Sequence, residues 1–185
     1  MSKSLKPMLF LAIVSTLIFG GWATARIIKA VEFNLNCEAY IKRSANANTI
    51  ELAKKELATS IDYIEKNNLT RGVVSIFLKN PTNDIEFWYQ NLKAAYEELD
   101  NLNEDATALE KTNVLMKLRE SLTDRESGGG TKVIVPSGIT IYPDNSLYFW
   151  WCTLSTILMT AFWTIFTIQA EKKYHFMEKL NKVNK

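Results

Sequence analysis

Few residues in this chain are of types and at spacings that could do chemistry. The densest acidic group is Glu97, Glu98, Asp100, Glu104 and Asp105. Clustered carboxylates attract hard cations such as calcium, but a calcium loop sets its oxygens at alternating positions around a central glycine, and that order is missing. A solvated helix end is the expectation. The two cysteines, Cys37 and Cys152, lack the short spacing of a metal or redox pair. One falls beyond a long apolar run and the other inside a second such run, so both are expected to be unpaired, with Cys37 the more exposed. The sole histidine, His175, has no nucleophile or carboxylate arrayed with it as a relay. Glycine-rich phosphate loops and nucleophile motifs do not occur. The residues therefore nominate no catalytic group, no metal ligand and no cofactor site, and a non-catalytic protein is expected.

Aromatic and glycan-acceptor signals come next. Phe87-Trp88-Tyr89 is the densest aromatic cluster away from the apolar runs. On a helix only Trp88 joins the apolar stripe. Phe87 and Tyr89 are then candidates for partner contact, because aromatic residues are enriched at interfaces. The preferred, plainer expectation is that a bundle with two neighbours per helix buries all three. Asn68-Leu69-Thr70 matches a glycan acceptor, which matters only in a eukaryotic secretory setting.

The elements that must position these residues are dominated by two runs without charge, residues 7–25 and 147–170, of 19 and 24 residues. About 20 apolar residues at 1.5 Å each cross the hydrocarbon core of a bilayer. A two-pass integral membrane protein is expected, in a bacterial inner membrane or an organellar one. Residues 1–6 and the tail 171–185 would be cytoplasmic, with 7–26 and 147–170 as spans. Orientation follows from lysines on the short flanks: Lys3 and Lys6 before the first span, and Lys172, Lys173, Lys179, Lys182 and Lys185 after the second. Arg26 and Lys29 on the far side oppose this at the first span only. The run ending Ala23-Thr24-Ala25 also reads as a cleavable signal peptide, the alternative to a retained span. Residues 31–146 carry 13 Lys/Arg against 18 Asp/Glu, a net of −5, which argues against nucleic acid as a partner.

Between the spans, residues 27–127 read as an extracytoplasmic antiparallel helical bundle. The first helix continues past the span with Ile28, Val31, Leu35 and Ala39 as its stripe. Asn48 with Glu51 starts a second helix, striped by Ile50, Ala53, Leu57, Ile61 and Ile64. Residues 70–79 suit either a strand or a short buried helix. Asn83 with Glu86 caps a helix whose stripe is Ile85, Trp88, Leu92, Ala95, Leu99 and Leu102. Thr107 with Glu110 caps another, carrying Leu115, Leu118 and Leu122 and running to the glycines at 128–130. Residues 128–146 then form a Gly-rich linker and a short β-hairpin over 132–142, turning at Pro136-Ser137-Gly138. The fold class expected is mainly α: two transmembrane helices flanking this bundle, with the hairpin before the second span.

Within the spans, Ala12, Thr16, Gly20 and Thr24, and Thr156, Thr160 and Thr164, recur at four-residue spacing and are candidates for helix packing. In the tail, Phe176 and Leu180 share a face among Lys172, Lys173, Lys179 and Lys182. Such a segment suits the surface of an anionic leaflet, each lysine contributing about 1 kcal/mol. The expected function is an accessory, assembly or regulatory subunit whose bundle binds a protein partner, with membrane lipid and possible self-association as further contacts. The arrangement is similar in architecture to the external sensor domains of chemoreceptors and two-span sensor kinases. That resemblance implies the alternative, a small-ligand sensor acting through a separate output partner.

Overall fold

The computed structural model describes residues 5–103, 105–125 and 129–183, and the side chains of all of these except 181 and 183. In chain order the elements are α1 (Leu5–Phe33), a π-helical turn (Asn34–Glu38), α2 (Ala39–Ala45), α3 (Ile50–Lys66), α4 (Ile85–Asp100), α5 (Ala108–Leu122), the strands β1 (Thr123–Arg125) and β2 (Thr131–Val133), and α6 (Asn145–Val183). Turns of 3-10 helix lie at Pro81–Asn83 and Ile139–Ile141. The protein is mainly helical, with one short antiparallel pair of strands. It divides into two compact units, one of Met1–Ile27 with Ser146–Lys185 and one of Ile28–Asn145.

The first unit holds the apolar lengths of α1 and α6, both long and apolar enough to span a membrane. In their most apolar eighteen-residue stretches only 11% and 6% of residues are buried, whereas a core helix of a soluble protein would be covered. Three indole N–H groups join the helices. Trp22 Nε1 donates to the Tyr148 carbonyl at 2.9 Å, Trp151 Nε1 to the Ile18 carbonyl at 3.3 Å, and Trp163 Nε1 to Thr16 Oγ1 at 3.0 Å. Ala12, Ser15 and Ser155 are buried between them. The two serine hydroxyls are satisfied locally, by the carbonyls of Ala12 and Cys152.

The second unit has one core. Ile41 of α2, Leu57 and Ile64 of α3, Ile85 and Leu92 of α4, and Ile139 are its largest fully buried apolar side chains. Each gains about 1.5–3 kcal/mol from burial. The stripes of α3 and α4 are the buried faces expected, with Ile50 and Ala95 half-buried at the margin, except that α4 ends at Asp100 and leaves Leu102 half-buried beyond it. Ser44 Oγ of α2 donates to the Ala53 carbonyl of α3 at 2.8 Å, closing the hairpin between these helices. Trp88 Nε1 donates to the Ile134 carbonyl at 2.8 Å and ties α4 to the chain beyond β2.

Several local expectations are corrected. The side chains that cap α3 and α4 belong to Thr49 and Asp84, one residue later than expected. Thr49 accepts from the Leu52 amide, and Asp84 accepts from the amides of Glu86 and Phe87. Either neighbour in Asn48-Thr49 and Asn83-Asp84 has a competent oxygen, and backbone geometry selects the second. The box formed by Thr107 and Glu110 on α5 is present as expected. That helix stops at Leu122, short of the glycines. Residues 70–79 form neither helix nor strand but an irregular segment held by a bridge between Val73 and Asp84.

The hairpin over 132–142 does not form. β2 pairs backwards with β1, Thr123 opposite Val133 and Arg125 opposite Thr131. Pro136 has no N–H to give a ladder, and Gly138, at φ 94°, turns the chain into the 3-10 turn instead. The stripe Ile28, Val31 and Leu35 is exposed rather than buried. The face that reaches the core is Phe33, Cys37 and Ile41.

Candidate functional site

The structure distributes the candidate residues over separate surfaces and does not gather them into one cleft. On α4, Trp88 is buried, Tyr89 is half-buried and Phe87 is 63% exposed. The bundle therefore does not cover all three aromatics, since the first turn of α4 buries Ile85 and turns Phe87 outward. Tyr89 Oη donates to Glu65 Oε1 of α3, and Lys93 Nζ lies 3.6 Å from the same carboxylate oxygen. Partial burial and then the adjoining Glu65 carboxylate push the Tyr89 phenol above its ordinary value. Tyr89 is thus engaged within the domain, while Phe87 is presented to solvent.

Phe87 is one of several large exposed apolar side chains on this domain, and sequence reasoning missed the others. In the irregular segment before it, Phe77 is 69% and Leu78 is 83% exposed, with Ile76 partly exposed beside them. These three were hidden in a stretch that suited a strand or a buried helix. The segment is pinned at its base. The Val74 amide donates to the Asn83 carbonyl and the Ile85 amide to the Gly72 carbonyl. Asn83 Nδ2 donates to Ser75 Oγ at 2.8 Å. Gly72, at φ 114°, lies so close under the Tyr142 hydroxyl that a Cβ there would collide with it.

A second surface is a hollow of about 500 Å³ between α2 and the start of α3, lined among others by Lys42, Arg43, Asn46, Leu52 and Glu56. Glu56 is almost completely buried. Its Oε1 accepts from Arg43 at 2.7 Å, while its Oε2 is buried without a hydrogen-bond donor. A buried carboxylate oxygen in that state is costly unless a water or another donor reaches it. Nothing in the sequence marked Glu56, which sits beside the Leu57 stripe as an ordinary helical glutamate.

Two members of the acidic group enter ion pairs. Glu98 Oε1 lies 2.8 Å from Lys117 Nζ of α5, and Asp100 pairs with Lys54 of α3, whose ammonium this hydrogen bond holds above its ordinary value. Glu104 lies outside the described residues. Among the described residues no three His, Cys, Asp or Glu side chains come together where they could hold a metal ion.

The cysteines are free, but the order of exposure is the reverse of that expected. Cys37 is completely buried and Cys152 is half-buried. Burial, with a smaller contribution from Glu38, pushes the Cys37 thiol up to about 12. Cys37 lies four residues from both Phe33 and Ile41 and shares their buried face.

Of the span residues, Ala12 is buried and Thr16 accepts the Trp163 indole, while Gly20, Thr24, Thr160 and Thr164 are exposed and Thr156 is half-buried. The hydroxyls of Thr160 and Thr164 bond back to carbonyls of their own helix. In the tail, α6 continues to Val183 with Phe176 and Leu180 exposed, and with Lys182 paired to Glu178 at 2.7 Å. Lys172 and Lys179 are exposed and Lys173 is half-buried. Against known protein families, curated proteins and solved structures, the chain finds no match.

Proposed function

We propose that this chain is a non-catalytic integral membrane protein whose helical domain binds a protein partner, as an accessory, assembly or regulatory subunit. It would sit in a bacterial inner membrane or an organellar membrane, with both termini cytoplasmic and residues 27–146 on the opposite side. The observation that carries the reading is the exposure of Phe77, Leu78 and Phe87 on an acidic helical domain. Large apolar side chains exposed on a folded domain are candidates for an interaction site, the more so where neighbours such as Phe77 and Leu78 are exposed in succession. The two apolar helices supply the anchor, with the tail lysines beside the anionic leaflet.

The test is purification of the tagged chain in mild detergent, followed by mass spectrometry, for the wild type and for Leu78→Asp and Phe87→Asp. A stoichiometric companion that is lost from both variants supports the reading. A companion retained by both, or no companion at all, overturns it.

The second reading, a small-ligand sensor, is favoured by the hollow beside Glu56. A donor-bearing ligand with an anionic group would suit Glu56 and the cations Lys42 and Arg43 at its rim. Amino acids and their amides, screened by thermal shift, are the probes. Stabilisation that disappears in Glu56→Gln would favour this reading over the first.

A further inference from the structure

Within the helical domain, Leu78 and Phe87 are tied to the place where the chain leaves for the second span. A Cβ on Gly138 would sit 3.0 Å from Val74 Cγ1 and 3.2 Å from Asn145 Nδ2, so Val74 and Asn145 are near neighbours. Asn145 Nδ2 donates to the Gly138 carbonyl at 2.9 Å, which holds that arrangement. Asn145 opens α6 and stands two positions before the charge-free run 147–170. Leu78 follows Val74 by four residues, a reach of at most about 14 Å. The Val74 amide donates to the Asn83 carbonyl and the Ile85 amide to the Gly72 carbonyl, and Phe87 comes two residues after Ile85.

The connection to the first span joins the domain at the same end. The Phe33 ring packs on Tyr63, in the last turn of α3, with centroids 6.2 Å apart. Phe33 is eight residues beyond the charge-free run 7–25, about 12 Å of helix. Both connections therefore meet the domain where α3 stops and α4 begins. A two-pass chain holds that end against the headgroup layer, which is about 5–8 Å deep on each side of the hydrocarbon. Arg71 and Lys79, both exposed, bracket the exposed run Ile76-Phe77-Leu78, and long cationic side chains suit that depth. Lipid does not account for Phe87. Asp84 caps its helix and Glu86 precedes it, so sinking that turn into lipid would drag two carboxylates toward hydrocarbon.

We infer that the partner of this domain is itself an integral membrane protein, which covers Leu78 and Phe87 at the level of the headgroups. The inference deepens the partner reading and rests on it and on the two-pass topology. A protein surface standing in the same membrane covers an apolar side chain while its polar rim accommodates neighbouring carboxylates, as lipid does not. The far end of the domain supplies the contrast. Leu109 of α5 is 69% exposed, and Thr112, one turn on, shares a hollow with Ala45, Asn46, Ala47 and Asn48 just before α3 begins. A soluble partner would find Leu109 as accessible as Phe87, and a membrane-embedded one would not.

The test uses the full chain in native membranes, with Cys152→Ala and the buried Cys37 retained. A single cysteine, from Leu78→Cys, Phe87→Cys or Leu109→Cys, carries a benzophenone attached through a disulfide. After illumination the tagged chain is purified under non-reducing, denaturing conditions. Reduction then releases the adduct for mass spectrometry, and alkaline carbonate extraction of untreated membranes shows whether the released protein is embedded. The expected result is one protein captured at 78 and 87, lost at 109, that stays with the membrane in carbonate. A protein that carbonate strips off, or one captured equally at 109, overturns the inference and leaves the partner reading standing. Adducts at 78 and 87 with lipid alone or with another copy of the chain, or no adduct at either position, overturn the inference and the partner reading together.

Discussion

Cys37 and Tyr63 contribute to the alkaline behaviour of the domain, because burial raises both groups above their ordinary values. Above pH 9.0 the unfolded chain releases the Cys37 proton, while the folded chain keeps it until about 12. The unfolded state then binds fewer protons, so stability falls as pH rises across that window. Unfolding of the detergent-solubilised chain by urea should show a midpoint that drops from about pH 9 toward pH 12, and less steeply in Cys37→Ala. An equal or steeper drop in the variant would contradict the assignment. Arg43 and Glu56 give a second residue-scale prediction. Arg43→Ala strips from a buried carboxylate its one donor among the described residues and should cost about 1–3 kcal/mol by urea titration. Adding Glu56→Leu to Arg43→Ala should recover most of that loss, because a buried apolar side chain needs no donor.

At the scale of elements, Gly72 is the position most sensitive to change. Its φ of 114° lies where side chains are rarely tolerated, and the Tyr142 hydroxyl occupies the place of a Cβ. Gly72→Ala should lower stability by about 1–3 kcal/mol, read from thermal melts, with part of the loss relieved by Tyr142→Phe. The helices themselves were largely legible in the residues. The Leu57–Ile61–Ile64 and Ile85–Trp88–Leu92 spacings place those side chains in the core because an amphipathic stripe has one stable destination. What escaped sequence reasoning was the choice between alternatives of equal local merit. Ile28-Val31-Leu35 and Phe33-Cys37-Ile41 are both apolar stripes on one helix, and only packing against α3 decides between them. The β-rich segment after the glycines offered an obvious hairpin. Its real partner, Thr123-Asp124-Arg125, has little strand-forming character beyond Thr123 and is recruited through pairing with β2. Exposure at Phe77 and Leu78 was likewise invisible, since residues 70–79 adopt neither of the regular elements their types suggest.

At the scale of the whole molecule, charge and apolarity are partitioned by unit: an acidic helical domain, and a helix pair bracketed by lysines and joined by indole hydrogen bonds. The proposed orientation has a direct consequence for accessibility. In sealed membrane vesicles, a cysteine replacing Phe176 should react with an impermeant maleimide from the side opposite to one replacing Leu78. Labelling of both from one side would refute the two-pass topology. The indole bonds should also hold the pair together in detergent. Trp22→Phe, which keeps the ring and loses the donor, should weaken association of the two helices by about 0.6–2 kcal/mol, measured by steric trapping of the full chain.

The π turn at Asn34–Glu38 has a consequence for how the gene can change length. Such a turn accommodates one residue more than α-helix would over the same rise, while the helix on either side keeps its direction. Removing one residue within 34–38 should therefore leave Phe33 and Ile41 facing the same core. The same deletion within 39–45 would swing everything on one side by about 100°. Single-codon loss is thus expected to be survivable at one short window of this helix and ruinous just beyond it.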